Sequence, residues 1–165
     1  MRNSSPNTGP LTVPPYERRA LILDDNEGNR SLLKIAVQMG KLDVVETSSG
    51  IEACNLWQPF KFAFAFLDIE LPDISGLEVA RQIREADQGI AIVMCSANDD
   101  PETINSAVQV GCDLFLIKPF LLDTLTNLVK LMDRAALRAL PRVLIVDNTS
   151  RHRWEEKPGV DLLST

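Results

Sequence analysis

The chain has 165 residues, 45% hydrophobic and 24% charged, with 17 Lys and Arg against 23 Asp and Glu for a net charge of −6. That length suits one domain with some trim, and the apolar fraction excludes wholesale disorder. No run approaches the ~18 apolar residues of a membrane span, and the acidic surplus argues against a general nucleic-acid binder, which needs a basic face for phosphates.

Cys54, Cys95 and Cys112 are an odd set without metal spacing. They read as buried free thiols of a reducing compartment, so a cytoplasmic location is expected. Residues 1–17 are polar and Pro-rich and lack the apolar core of a signal peptide; they read as a disordered N-terminal arm.

From Arg19 onward, short apolar runs alternate with helical patterns. Residues 20–23 form a strand ending at Asp24-Asp25, and 27–39 carry Leu32, Leu33, Ile35, Ala36 and Met39 at helical spacing, closed by Gly40. Residues 42–47 are strand-like, and 50–57 read as a short helix stopped by Pro59. A fully apolar strand over 62–67 ends at Asp68, after which Ser75 can cap a helix with Leu77, Val79, Ala80 and Ile83 on its inner face. Residues 90–94 form a strand ending at Cys95-Ser96. Asp99 or Asp100 caps the next helix, with Pro101 in its first turn and Gly111 at its end. Residues 114–117 form the fifth strand, ending at Lys118-Pro119, and 121–140 read as one long final helix.

Five rounds of apolar strand and amphipathic helix predict a doubly wound five-stranded parallel sheet covered on both faces. Eight such rounds, as a closed α/β barrel needs, do not fit. Parallel strands end on one edge, where ligands bind. Singly, each polar strand end has a plain reading: an acidic pair or a serine caps a helix, a lysine is solvated, and Lys-Pro is a turn. Together Asp24, Asp25, Asp68, Ser96 and Lys118 fall on four strand ends of that edge. Three converging carboxylates call for a cation, and hard oxygen donors in that number suit Mg²⁺. With a lysine charge and a hydroxyl alongside, the set is suited to forming an aspartyl phosphate.

Several motifs carry a resemblance: Leu21-Ile22-Leu23-Asp24-Asp25-Asn26, the run from Phe66 to Glu78, Met94-Cys95-Ser96-Ala97 and Lys118-Pro119-Phe120. Over residues 19–140 the chain resembles the receiver domain of two-component response regulators. The resemblance implies a flavodoxin-like strand order 2-1-3-4-5. It implies Asp68 as phosphoacceptor, Asp25 as direct metal ligand, Asp24 acting mainly through metal-bound water, and the Glu70 backbone carbonyl as a further ligand for Mg²⁺. Ser96 matches the switch hydroxyl and Lys118 the phosphate-pairing lysine. Phe115 occupies the aromatic switch position, although a core strand residue would look identical. Ser75-Gly76 stands where the family usually has Asp-Gly or Asn-Gly, with the turn glycine kept.

The implied function is a phosphorylation-dependent signalling switch, not an enzyme beyond self-phosphotransfer and autodephosphorylation. Its phosphoryl donor is a sensor histidine kinase or histidine phosphotransfer protein, and its output is contact with a downstream protein. The expected division is a receiver domain over 18–140 and a tail over 141–165, too short for an output domain, so a single-domain regulator is expected. The tail opens with Arg142-Val143-Leu144-Ile145-Val146-Asp147-Asn148, an echo of the first strand. An apolar, β-branched run left as an edge would aggregate. A homodimer is therefore expected, burying the extended last helix and this strand-like tail against a second subunit; the alternative is an extra strand folded back onto its own chain. His152, the only histidine, reads as a surface residue. Lys118 and Ser96 are expected to matter for the response more than for stability.

Two rival readings share part of this pattern. A haloacid-dehalogenase-like phosphohydrolase also places a nucleophilic Asp at a strand end, but needs a second Asp two residues on, where this chain has Glu70. A non-phosphorylated interaction module would show no Mg²⁺-dependent response.

Overall fold

The computed structural model describes residues 18–57, 61–132, 134–148 and 152–158. The expected disordered arm over 1–17 and the stop at Pro59 lie outside them. The chain alternates as predicted through β1 (Arg19–Leu23), α1 (Glu27–Met39), β2 (Asp43–Thr47), α2 (Gly50–Leu56), β3 (Phe64–Asp68), α3 (Gly76–Ala86), β4 (Ala91–Ser96), α4 (Pro101–Gln109) and β5 (Leu114–Ile117). It continues into α5 (Leu122–Leu131), α6 (Arg134–Ala139), β6 (Arg142–Val146) and β7 (His152–Glu156).

Polar side chains start the helices where the sequence places them. Asn26 accepts from the Asn29 amide at 3.0 Å, Ser75 from Leu77 at 3.2 Å, and Asp100, rather than Asp99, from Thr103 at 2.8 Å with Pro101 following. At the end of α1 the left-handed turn falls on Lys41 (φ 63°), not on Gly40. Gly40 is needed for space instead: a Cβ there would lie 2.4 Å from Val129 Cγ1 on α5. The glycine is what lets α5 rest on the end of α1.

The sheet runs β2-β1-β3-β4-β5-β6-β7, so the flavodoxin-like order holds and continues beyond the expected five strands. β6 pairs parallel with β5, setting Phe115 opposite Ile145, and β7 returns antiparallel on β6. Two expectations are corrected here. The apolar run of the tail is not offered to a second subunit; Val143, Ile145 and Val146 are buried to 3% exposure or less within their own chain. The long helix is two helices, with Met132 extended (φ −70°, ψ 119°) at the end of α5. An unbroken helix over 121–140 would run ~30 Å, far past the four-residue β5. The break turns the chain back so that Leu137 reaches the core and β6 enters the sheet in parallel.

One core layer packs α2, α3 and α4 on the sheet around Leu21, Leu67, Ile83, Ile92 and Phe115; the other packs α1, α5 and α6 around Ile22, Phe66, Val93 and Leu116. At the amino edge, fully buried Asp113 binds the tail to the body. Its Oδ2 accepts from Arg84 Nη2 and the Ile92 amide, both at 2.9 Å. Its Oδ1 accepts from Arg138 Nη1 at 2.6 Å and Lys157 Nζ at 2.7 Å.

Candidate functional site

The central strands β1 and β3 run in register, Leu23 beside Leu67, so the residues that follow bring Asp24 and Asp68 to the same point of the carboxyl edge. Asp24 is fully buried, Asp68 is 2% exposed, and Asp25 faces solvent. One carboxylate oxygen from each of the three lies within 4.8 Å of the others, and among the described residues this is the one acidic or His/Cys group so arranged. From the end of β5, Lys118 sends Nζ between the buried pair, 2.8 Å from Asp24 Oδ2 and 3.0 Å from Asp68 Oδ2. The Lys118–Pro119 peptide is cis.

The surrounding backbone fixes these groups. Asp24 Oδ1 accepts from the Asn26 amide at 2.9 Å. Arg30 Nη1 donates to the Asp24 and Asp25 carbonyls at 2.9 and 3.2 Å, pinning the turn that carries both acids. The Glu70 amide donates to Asp68 Oδ1 at 3.2 Å. Beneath Asp68 the α3 turn comes so close that a Cβ on Gly76 would lie 1.8 Å from the Asp68 carbonyl oxygen; only glycine fits. Asp73 then ties the loop after Glu70 to the start of α2, accepting from Ser49 Oγ at 2.7 Å and the Gly50 and Ile51 amides at 3.0 Å. Those bonds hold its carboxyl well below the usual range.

Ser96 ends β4 fully buried, its Oγ accepting from the Asn98 amide at 2.9 Å, while its carbonyl accepts from the Lys118 amide at 2.8 Å. The structure thus gathers Asp24, Asp25, Asp68 and Lys118, with Glu70 two residues beyond Asp68 and Ser96 at the end of the neighbouring β4. Phe115 stands apart. It is fully buried in the α4-side core layer, three residues before the edge. Sequence reasoning missed Arg30, Asp73 and the close approach at Gly76. Arg30 carried a usable signal, since a cation early in the helix after an acidic strand end can reach back to that turn.

Burial raises the Asp68 pKa to about 6; the Lys118 bond and charge pull it down, and the neighbouring Asp24 pushes it up. For Lys118 burial acts downward, but bonds to Asp24 and Asp68 outweigh it and hold the ammonium above its ordinary value. Three carboxylates against one ammonium leave a negative surplus in a largely buried, all-oxygen setting. That donor set fits a hard divalent cation. Beside it Cys95, paired in register with Asp68, is buried and its thiol is pushed up by desolvation; Cys112 is also buried, and Cys54 is half-buried. All three are free thiols.

Fold and site define a flavodoxin-like α/β protein with a lysine-bridged acid cluster at the carboxyl edge of its sheet. The response regulator receiver domain family matches residues 20–130. The chemotaxis protein CheY of Listeria monocytogenes is 31% identical over 119 residues, 72% of this chain and 98% of that protein. The CAI-1 autoinducer sensor kinase/phosphatase CqsS of Vibrio cholerae is 30% identical over 126 residues, covering 74% of this chain but only 18% of CqsS. The crystal structure of the response regulator TrrA of Thermotoga maritima, solved with Mg²⁺-BeF, superposes with a TM-score of 0.58 at 31% identity, covering 68% of this chain and 96% of TrrA. The chain belongs to the response regulator receiver domain family, the signalling switches of two-component systems. No helix among the described residues is long and apolar enough to cross a membrane.

Proposed function

We propose that this receiver accepts a phosphoryl group on Asp68 from a sensor histidine kinase or a histidine phosphotransfer protein in the cytoplasm, and signals to a downstream protein by contact. The observation that carries the reading is Lys118 Nζ held between Asp24 and Asp68 at 2.8 and 3.0 Å, beside a third carboxylate. An ionised Asp68 oxygen attacks the phosphorus of a phosphohistidine. The N–P bond breaks, the imidazole departs with the bonding pair, and an acyl phosphate remains. Asp24, Asp25, the Asp68 carboxylate and the Glu70 backbone carbonyl would hold Mg²⁺, which supplies positive charge to the phosphoryl oxygens. Lys118 exchanges a carboxylate partner for a phosphoryl oxygen, and the Ser96 hydroxyl donates to another. Phe115, at the aromatic switch position, would read that change through its packing. Water later attacks the acyl phosphate, returning Asp68 and inorganic phosphate, so turnover is limited to self-dephosphorylation.

The receiver proper is assigned to 18–140 and the tail to 141–165, and the working form is a homodimer. Acetyl phosphate with Mg²⁺ should add one phosphate to the wild type, read by intact mass, and none to Asp68→Asn. Phosphate on Asp68→Asn at the wild-type rate would refute the assignment.

A further inference from the structure

The last strand raises a question the phosphorylation site does not answer. Among the described residues β7 pairs only with β6, and its other edge carries no strand. The Lys157 amide donates to the Pro141 carbonyl at 2.9 Å, and the register sets Val143 opposite Glu155 and Ile145 opposite Arg153. Hydrogen-bonded pairs alternate along an antiparallel ladder. The backbone groups of Arg153 and Glu155 therefore turn inward to β6, and those of His152, Trp154 and Glu156 turn outward to the open edge.

The sequence of that edge, His152-Arg153-Trp154-Glu155-Glu156, is complementary to itself when reversed. A two-fold axis at Trp154 sets Arg153 opposite the second copy's Glu155, and His152 opposite the second copy's Glu156. The outward-facing residues, 152, 154 and 156, then meet one another as hydrogen-bonding pairs. In parallel register the same strands would place Arg153 beside Arg153 and Glu155 beside Glu155. Opposite charges across a ladder stabilise it and like charges oppose it, so the pattern selects the antiparallel, two-fold arrangement.

We infer that a second copy of this chain adds to the edge of β7 that no described strand covers, antiparallel about Trp154, joining two sheets into one. The inference rests on the homodimer reading above and gives it a geometry. β6 completes the core, and among the described residues β7 forms the outer edge of the sheet. A ladder of five residues is a small interface, so association is concentration-dependent.

Sedimentation velocity across a concentration series, with and without acetyl phosphate, tests this. Trp154→Pro removes an outward amide without touching an inward one, which an edge strand tolerates; it should raise the dimer dissociation constant about tenfold or more. Arg153→Glu should weaken association similarly, and Arg153→Glu combined with Glu155→Arg should restore it. Phosphorylation from acetyl phosphate should stay at the wild-type level in all three, showing that the domain is folded. A wild type that is monomeric at every concentration overturns the homodimer reading and this geometry with it. A wild-type dimer indifferent to Trp154→Pro and Arg153→Glu overturns the β7 edge alone.

Discussion

Asp68, with its carboxyl pKa raised by burial to about 6, links the chemistry of the site to stability. An aspartate in the unfolded chain titrates near ~3.9. Because the folded value is the higher one, protonation favours folding. That contribution is complete below pH ~4 and is lost as pH rises through about 6. At neutral pH the ionised group costs on the order of 3 kcal/mol. Asp68→Asn should therefore stabilise the metal-free protein by about that much near neutral pH and by far less near pH ~4, as urea unfolding would show; equal gains at both would contradict the burial argument. Lys118 revises an expectation. Its ammonium lies between two buried carboxylates, so Lys118→Ala leaves both unpaired and should cost roughly 3 kcal/mol in metal-free buffer. Mg²⁺ should recover part of that loss in thermal melts.

Among the elements, the turn from β3 into α3 is the least tolerant. With the Asp68 carbonyl 1.8 Å from where a Gly76 Cβ would sit, Gly76→Ala must displace backbone that also positions Glu70. A loss of about 2–4 kcal/mol is expected, as for other overpacked sites, together with slower phosphorylation by acetyl phosphate. Ser75→Ala, one residue earlier, loses the helix cap bond to Leu77 and the hydroxyl's bond to the Ile69 carbonyl without crowding the backbone, and should cost about 1–2 kcal/mol. The comparison separates strain at the site from general weakening. Strands β1, β3, β4 and β5 and their polar ends were legible because each is a short apolar run cut off by an ionisable or hydroxyl group. The break between α5 and α6 was not. Residues 121–140 contain neither Gly nor Pro, and their periodicity continues across Met132. The break comes from where the next strand must enter the sheet.

At the scale of the whole molecule, β6 turns the fifth strand from an edge into an interior strand. Ending the chain at residue 140 removes Val143, Ile145 and Val146, all buried, at about 1.5–3 kcal/mol each, and uncovers Leu114, Phe115 and Leu116. Such a truncation should melt well below the wild type and scatter light as it associates. A monomer with an unchanged melting temperature would mean that β6 is expendable. Asp113→Ala should act in the same direction by leaving Arg84, Arg138 and Lys157 around a buried site without its anion.

The amino-acid sequence alone determined the alternation of strands and helices, the parallel sheet and the set of residues at its carboxyl edge. Apolar runs and their polar terminations are local, and parallel strands necessarily end on one side. Tertiary structure alone decided what happens to the tail. Whether Val143 to Val146 pairs with β5 or with another chain depends on a distant edge, and a local pattern reads the same in both cases. It also decided the amino-edge cluster, because Asp113 lies at the start of a strand while its partners come from α3, α6 and the end of β7, brought together only by the closed sheet.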